Sequence, residues 1–159
     1  MKERLPGKIE MPQVTVIPHL TCRNAAEAIE FYKKAFGAEV PFVMPGPDGT
    51  IMHATVDLGG GIVHVVDEYP DHGVKSPLAL GGTPVTIHLV VADCDAVYAR
   101  AVEAGCEATM PLEDQFWGDR FGMVTDPYGH QWSIATPKSA LTKDEIERAM
   151  MDHVEAKAS

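Results

Sequence analysis

The sequence predicts an α+β fold built from two tandem βαβββ modules with a helix added at the C-terminus. Three observations carry this. The chain repeats itself along one diagonal, each copy shows the same order of strand and helix signals, and a capped polar segment follows both copies. Shifting the sequence by 69 residues sets Val16 on Val85, His19 on His88 and Leu20 on Leu89. The same shift sets Gly49 on Gly118, Asp57 on Asp126 and Gly60 on Gly129. Between these blocks the offset falls to 68, where Ala28 meets Ala96, Gly37 meets Gly105 and Glu39 meets Glu107. One residue gained or lost at a helix entrance explains the slip. An internal duplication follows.

Each copy opens on a β-branched run, "VTVIPHLT" in the first and "PVTIHLVV" in the second. A helix comes next. In "NAAEAIEFYKKAFG", Asn24 suits an N-cap, and Ala28, Ile29, Phe31, Tyr32 and Phe36 form an apolar face. Gly37 stands where the helix should stop. In "DCDAVYARAVEAG" either Asp93 or Asp95 is the cap, and Gly105 is the terminator. Three shorter strands follow each helix: about "AEVPFVM", "GTIMHATVDL" and "GIVHVVDE", then about "EATMP", "RFGMVTD" and "HQWSIAT". Turn signals separate them, among them "PGPDG", "GGG" and the type I pattern "DPYG".

These boundaries give one domain over residues 14–137. Its first module covers about 14–68 and its second about 84–137, with a Gly- and Pro-rich connector at 69–83. A helical tail occupies 138–159, opened by the capping box of Thr142 and Glu145. Its Ile146, Met150 and Val154 should pack on the domain or on a partner.

Composition narrows the functional classes. With 159 residues, 45% apolar and 23% charged, the chain is an ordinary globular domain with room for a core. No apolar run approaches the roughly 20 residues that span a bilayer, so no membrane partner is expected. The opening "MKERLPGKIEMPQ" has no signal-like apolar stretch, which makes the cytoplasm the expected location. The net charge is −10 without a basic cluster, which argues against nucleic acid. Cys22, Cys94 and Cys106 have no paired spacing and read as small semi-buried hydrophobes.

The blocks "AIEFYKKAFGAEV", "PDGTIMHATVDLG" and "PLEDQFWGDRFGMVTDPYGHQWSIAT", with the capped tail, resemble the vicinal oxygen chelate superfamily in its PhnB-like branch. That superfamily includes glyoxalase I, fosfomycin and bleomycin resistance proteins and extradiol dioxygenases. The resemblance spans roughly residues 14 to 137. It implies a curved mixed sheet around a pocket, homodimerisation, and in metal-dependent members four ligand positions. Those positions fall here on Ile17, His64, Thr86 and Ser133. Of these only His64 is a good donor for zinc, nickel or iron, whereas a zinc site needs three protein ligands. The expectation is therefore no cofactor, with a divalent metal as the alternative.

Because side chains two apart on a strand share a face, His19 and His88 should point with Ile17 and Thr86 into the pocket. With His64 they could make a three-histidine site of unusual register; the plain alternative is pocket-lining imidazoles. His53 could line the cavity or face solvent, with solvent preferred. His130 is expected at the surface. In "QFWGDRFG", Trp117 and Arg120 could offer a planar or anionic ligand an aromatic shelf and a guanidinium. The competing reading is a surface Asp119–Arg120 pair over core aromatics. Trp132 is read as core.

The expected ligand-binding set is thus His19, His64, Thr86, His88, Trp117, Arg120 and Ser133. The expected partner is a small organic molecule, held between the modules or at a dimer interface. The alternative function is a divalent-metal lyase, isomerase or dioxygenase using His64, His19 and His88. The PhnB-like branch has been linked to methyl transfer, but nothing in the chain resembles a site for S-adenosylmethionine.

Overall fold

A computed structural model of the chain describes residues 13–159. The N-terminal stretch read above for a targeting signal lies almost wholly outside the described residues. The first module runs β1 (His19–Cys22), α1 (Ala25–Phe36), β2 (Glu39–Pro45), β3 (Ile51–Asp57) and β4 (Ile62–Asp67). A connector carrying the short helix α2 (Pro77–Leu80) leads to the second module. That module runs β5 (Thr86–Val90), α3 (Cys94–Ala104), β6 (Glu107–Asp114), β7 (Asp119–Thr125) and β8 (Gln131–Pro137). Helix α4 (Lys143–Ala158) closes the chain. No helix among the described residues is long and apolar enough to cross a membrane.

Each module forms its own four-stranded mixed sheet, in the orders β1-β4-β3-β2 and β5-β8-β7-β6. The first strand of a module pairs parallel with its last, and the other pairs are antiparallel. Both opening strands are shorter than their β-branched runs. Residues 14–17 stay outside the ladder, which begins where the Pro18 carbonyl accepts from the His64 amide at 2.9 Å; Pro18 has no N–H of its own to give.

The helix ends follow their caps. The Asn24 side chain accepts from the Glu27 amide, and Gly37 ends α1 in the left-handed region at φ 66°. Asp93, not Asp95, caps α3 by accepting from the Ala96 amide. The duplication extends to the anchoring of both helices. Asp67 accepts from the Ala25 amide at 2.8 Å, and at the equivalent position Thr136 accepts from the Cys94 amide at 2.9 Å.

The core is continuous across the modules. Tyr32 and Phe36 of α1 lie against Trp132 of β8, with ring centroids 5.5 and 4.7 Å apart. Trp132 is fully buried, as expected. Arg100 of α3 donates to the carbonyls of Lys34 and Lys33, closing off the C-terminus of α1. All three cysteines are buried free thiols, and burial pushes Cys106 up to about 12.

The "DPYG" turn forms as read, with the Gly129 amide donating to the Asp126 carbonyl. Its Asp126 carboxylate is buried and accepts four hydrogen bonds. The Tyr32 hydroxyl donates at 2.6 Å, the Trp132 indole at 2.9 Å, and the amides of Tyr128 and His130 at 2.9 and 3.0 Å. Since Tyr32 belongs to the other module, this one side chain ties the halves together.

Candidate functional site

Strand alternation sends Trp132, Ile134 and Val65 toward the helices and their neighbours to the opposite faces. On the first sheet that opposite face carries histidines. Parallel pairing sets His19 of β1 beside His64 of β4. His19 Nε2 and His64 Nδ1 are 3.0 Å apart and share one proton in a hydrogen bond. His53, on β3, brings its ring to 4.3 Å from that of His64 and 6.2 Å from that of His19. Phe42 of β2 stands beyond it, 6.0 Å from His53.

Solvent was the preferred environment for His53; instead it is half-buried in this cluster. The antiparallel register explains why. Thr55 sits opposite His64, and His53 is its same-face neighbour, placed diagonally to both. The His64 pKa falls below its ordinary 6.5, first through desolvation and then through the neighbouring charges of His53 and His19.

The second sheet repeats the geometry with different chemistry. His88 of β5 pairs with Ser133 of β8, and its Nδ1 is 2.7 Å from the Ser133 hydroxyl. Phe121 holds on β7 the place that His53 holds on β3, since Met123 is opposite Ser133 as Thr55 is opposite His64. Its ring stacks on His88 at 6.0 Å and 29°. Trp117 extends the patch, edge-on to Phe121 at 5.7 Å, its indole donating to Asp119 at 3.2 Å.

A cleft of about 410 Å³ opens between the modules. Its walls include Pro18, Phe36 and Val63 from the first module and Ile87, Leu89 and Val97 from the second, with His88 as the one titratable residue along its rim, its imidazole turned to the opposite face of β5 with Ser133. Of the expected ligand-binding set, His88 alone lines this cleft. Ser133 supports it from beneath, nearly buried, and Trp117 reaches it only through Phe121.

The remaining expected residues are elsewhere. His19 and His64 belong to the first-sheet cluster. Thr86 is exposed at the start of β5, where its hydroxyl donates to Gln131 at 3.4 Å. Arg120 is a correction. Alternation turns it to the α3 side, where it grips Asp95 with Nε and Nη2 at 3.0–3.1 Å and reaches Asp114 at 3.3 Å. The anticipated Asp119–Arg120 pair does not form. Asp119 and Arg120 are adjacent on a strand and point to opposite faces. His130 is a second correction: it is buried beside β1, with Nε2 donating to the Thr21 carbonyl at 2.8 Å.

The four implied metal positions do not fit a metal. Ile17 offers no donor, Thr86 and Ser133 offer neutral hydroxyls, and Ser133 is engaged by His88. The in-register partners of His64 and Ser133 are His19 and His88, not Ile17 and Thr86, which lie ~6–7 Å further along their strands. The trio of His19, His64 and His88 does not assemble either. Among the described residues no three His, Cys, Asp or Glu side chains are placed to hold a metal ion together.

The profile of the Glyoxalase/Bleomycin resistance protein/Dioxygenase superfamily matches residues 12–134. The chain belongs to that superfamily. An uncharacterized protein of Mycobacterium bovis is 50% identical over 136 residues, covering 84% of this chain and 90% of that protein. TioX from Micromonospora sp. ML1 is similar in structure, with TM-score 0.62 and 30% identity over 81% of this chain and all of that one. A PhnB protein from Bacillus cereus shares the superfamily fold at TM-score 0.61 and 22% identity, over 77% of this chain and 99% of that one. The two sheets thus carry the superfamily architecture, while the side chains at its usual metal positions are this chain's own.

Proposed function

We propose that this member of the superfamily binds a small, flat, largely apolar organic molecule in the cytoplasm, without a four-ligand metal centre. The cleft between the modules supports the reading best. About 410 Å³ is the size of a small-molecule site, and an apolar wall with one directed polar group is its usual composition. His88 supplies that group from the rim, where β5 turns its alternate side chains to the other face, and it is oriented by Ser133 and backed by Phe121. A planar ring could stack along the His88–Phe121–Trp117 edge while the imidazole fixes its orientation. A second copy of the chain would complete the walls. Phe42 and Met44 beside the histidine face, Val85 just before β5 and Val90 at its end are large apolar side chains 44–65% exposed.

The test is calorimetric titration of untagged protein with a panel of planar aromatic compounds. At least one should bind with a stoichiometry of one per chain, and His88→Ala should weaken it by about tenfold, the loss of one directed hydrogen bond. Binding that is indifferent to His88→Ala would overturn this placement. The second reading, a metal-dependent lyase, isomerase or dioxygenase, would need His19 and His64 to exchange their mutual hydrogen bond for a metal. Stoichiometric metal in the same preparation, lost in His64→Ala, would select it.

A further inference from the structure

A separate pair of adjoining hollows lies where the connector crosses the edges of β1 and β5. They measure about 260 and 150 Å³ and share His19, Thr83 and His130 in their walls. Lys75 lines the smaller one, with Thr21 beside it. Neither wall contains an aspartate or glutamate, in a chain whose net charge is −10. Lys75 has no salt-bridge partner among the described residues. A surface this rich in carboxylates leaves one recess lined by an ammonium group, two imidazoles and two hydroxyls.

The groups are held in place. His130 is fixed from both ends, its ring donating to the Thr21 carbonyl and its amide to Asp126. The Thr83 hydroxyl oxygen accepts from the Val85 amide at 3.2 Å, which leaves its O–H free to donate. His19 is braced by His64. Lys75 is the mobile arm, an ammonium on a flexible stem that can close over a guest.

We propose that this recess at the connector is an oxyanion site, taking the carboxylate or phosphate group of a small molecule. An anion there meets Lys75 and the Thr83 hydroxyl of the connector beside His19 and Thr21 of the first module, with His130 as the fixed wall, and hydrogen bonds from charged donors to oxyanions are the strong class. The carboxylates nearest the recess are already engaged, Asp126 by its four donors and Glu68 by Ser76 and Arg23. The larger hollow meets the cleft at Pro18 and Ile87, but the two sites use different polar groups, so either can fail alone.

The experiment is an amide NMR titration of the full chain at constant ionic strength, with inorganic phosphate and acetate in separate arms. Saturable shifts are expected at Lys75, Thr83 and His130 in at least one arm, with the Trp117 and Phe121 amides unmoved. Saturation by phosphate alone assigns a phosphate group, and by acetate alone a carboxylate; saturation by both assigns a general oxyanion site. Lys75→Glu should weaken binding by at least about tenfold, as expected when a charged donor is lost. Lys75→Gln, which removes the charge without inverting it, carries the test if the first variant does not fold. Linear shifts without saturation in both arms, or binding unchanged in the lysine variants, would overturn the proposal.

Discussion

Asp126 shows how much one buried side chain can decide. Its carboxylate receives the Tyr32 hydroxyl, the Trp132 indole and two backbone amides, so all four donors depend on one group. Removing it leaves buried donors without acceptors, each a substantial desolvation cost. Asp126→Ala should lower stability by on the order of 3–5 kcal/mol, measured by urea unfolding. A loss under about 1 kcal/mol would mean water replaces the carboxylate. The turn around Asp126 was legible in the sequence, because proline and glycine mark it locally. Its bond to Tyr32 was not, since the partner lies 94 residues away.

At the scale of strands, register converts scattered histidines into a cluster. The parallel step from β1 to β4 places His19 beside His64, and the antiparallel step to β3 adds His53. The consequence is electrostatic. A histidine whose folded pKa lies below its unfolded value stays neutral where the unfolded chain already takes up a proton. Its contribution to stability is whole above pH 6.5 and is lost as pH falls from there through the folded pKa. In an NMR titration His64 should titrate below 6.5, and both His53→Gln and His19→Gln should move it back upward. An unshifted His64 in the wild type, or no response to either substitution, would contradict the clustering. The same alternation removed Arg120 from the candidate site. Only the start of β7 at Asp119 makes Asp119 and Arg120 strand neighbours that face opposite ways, and the sequence did not place that start.

For the molecule as a whole, the open question is what covers the apolar side chains outside the core. Phe42 and Met44 lie beside the histidine cluster on a strand at the sheet edge, and β5 presents Val90 at a similar level of exposure. Two copies related by a two-fold axis would cover such surfaces reciprocally. Sedimentation equilibrium at micromolar concentration should find a dimer. The double variant Phe42→Ser, Met44→Ser should shift it toward monomer while leaving each chain folded. A wild type that stays monomeric at these concentrations would remove the second copy from the binding reading.

The sequence by itself determined the doubled βαβββ plan, the caps of α1 and α4, the "DPYG" turn and the burial of Trp132. These are local or periodic features, written in neighbouring residues and repeated at one offset. Only the tertiary structure decided that His19 and His88, rather than Ile17 and Thr86, stand beside His64 and Ser133. It also decided that His53 joins them, that Arg120 turns away, and that His130 is buried between connector and β1. Each of those outcomes depends on strand register or on contacts between distant segments, which side-chain alternation along a single strand cannot specify.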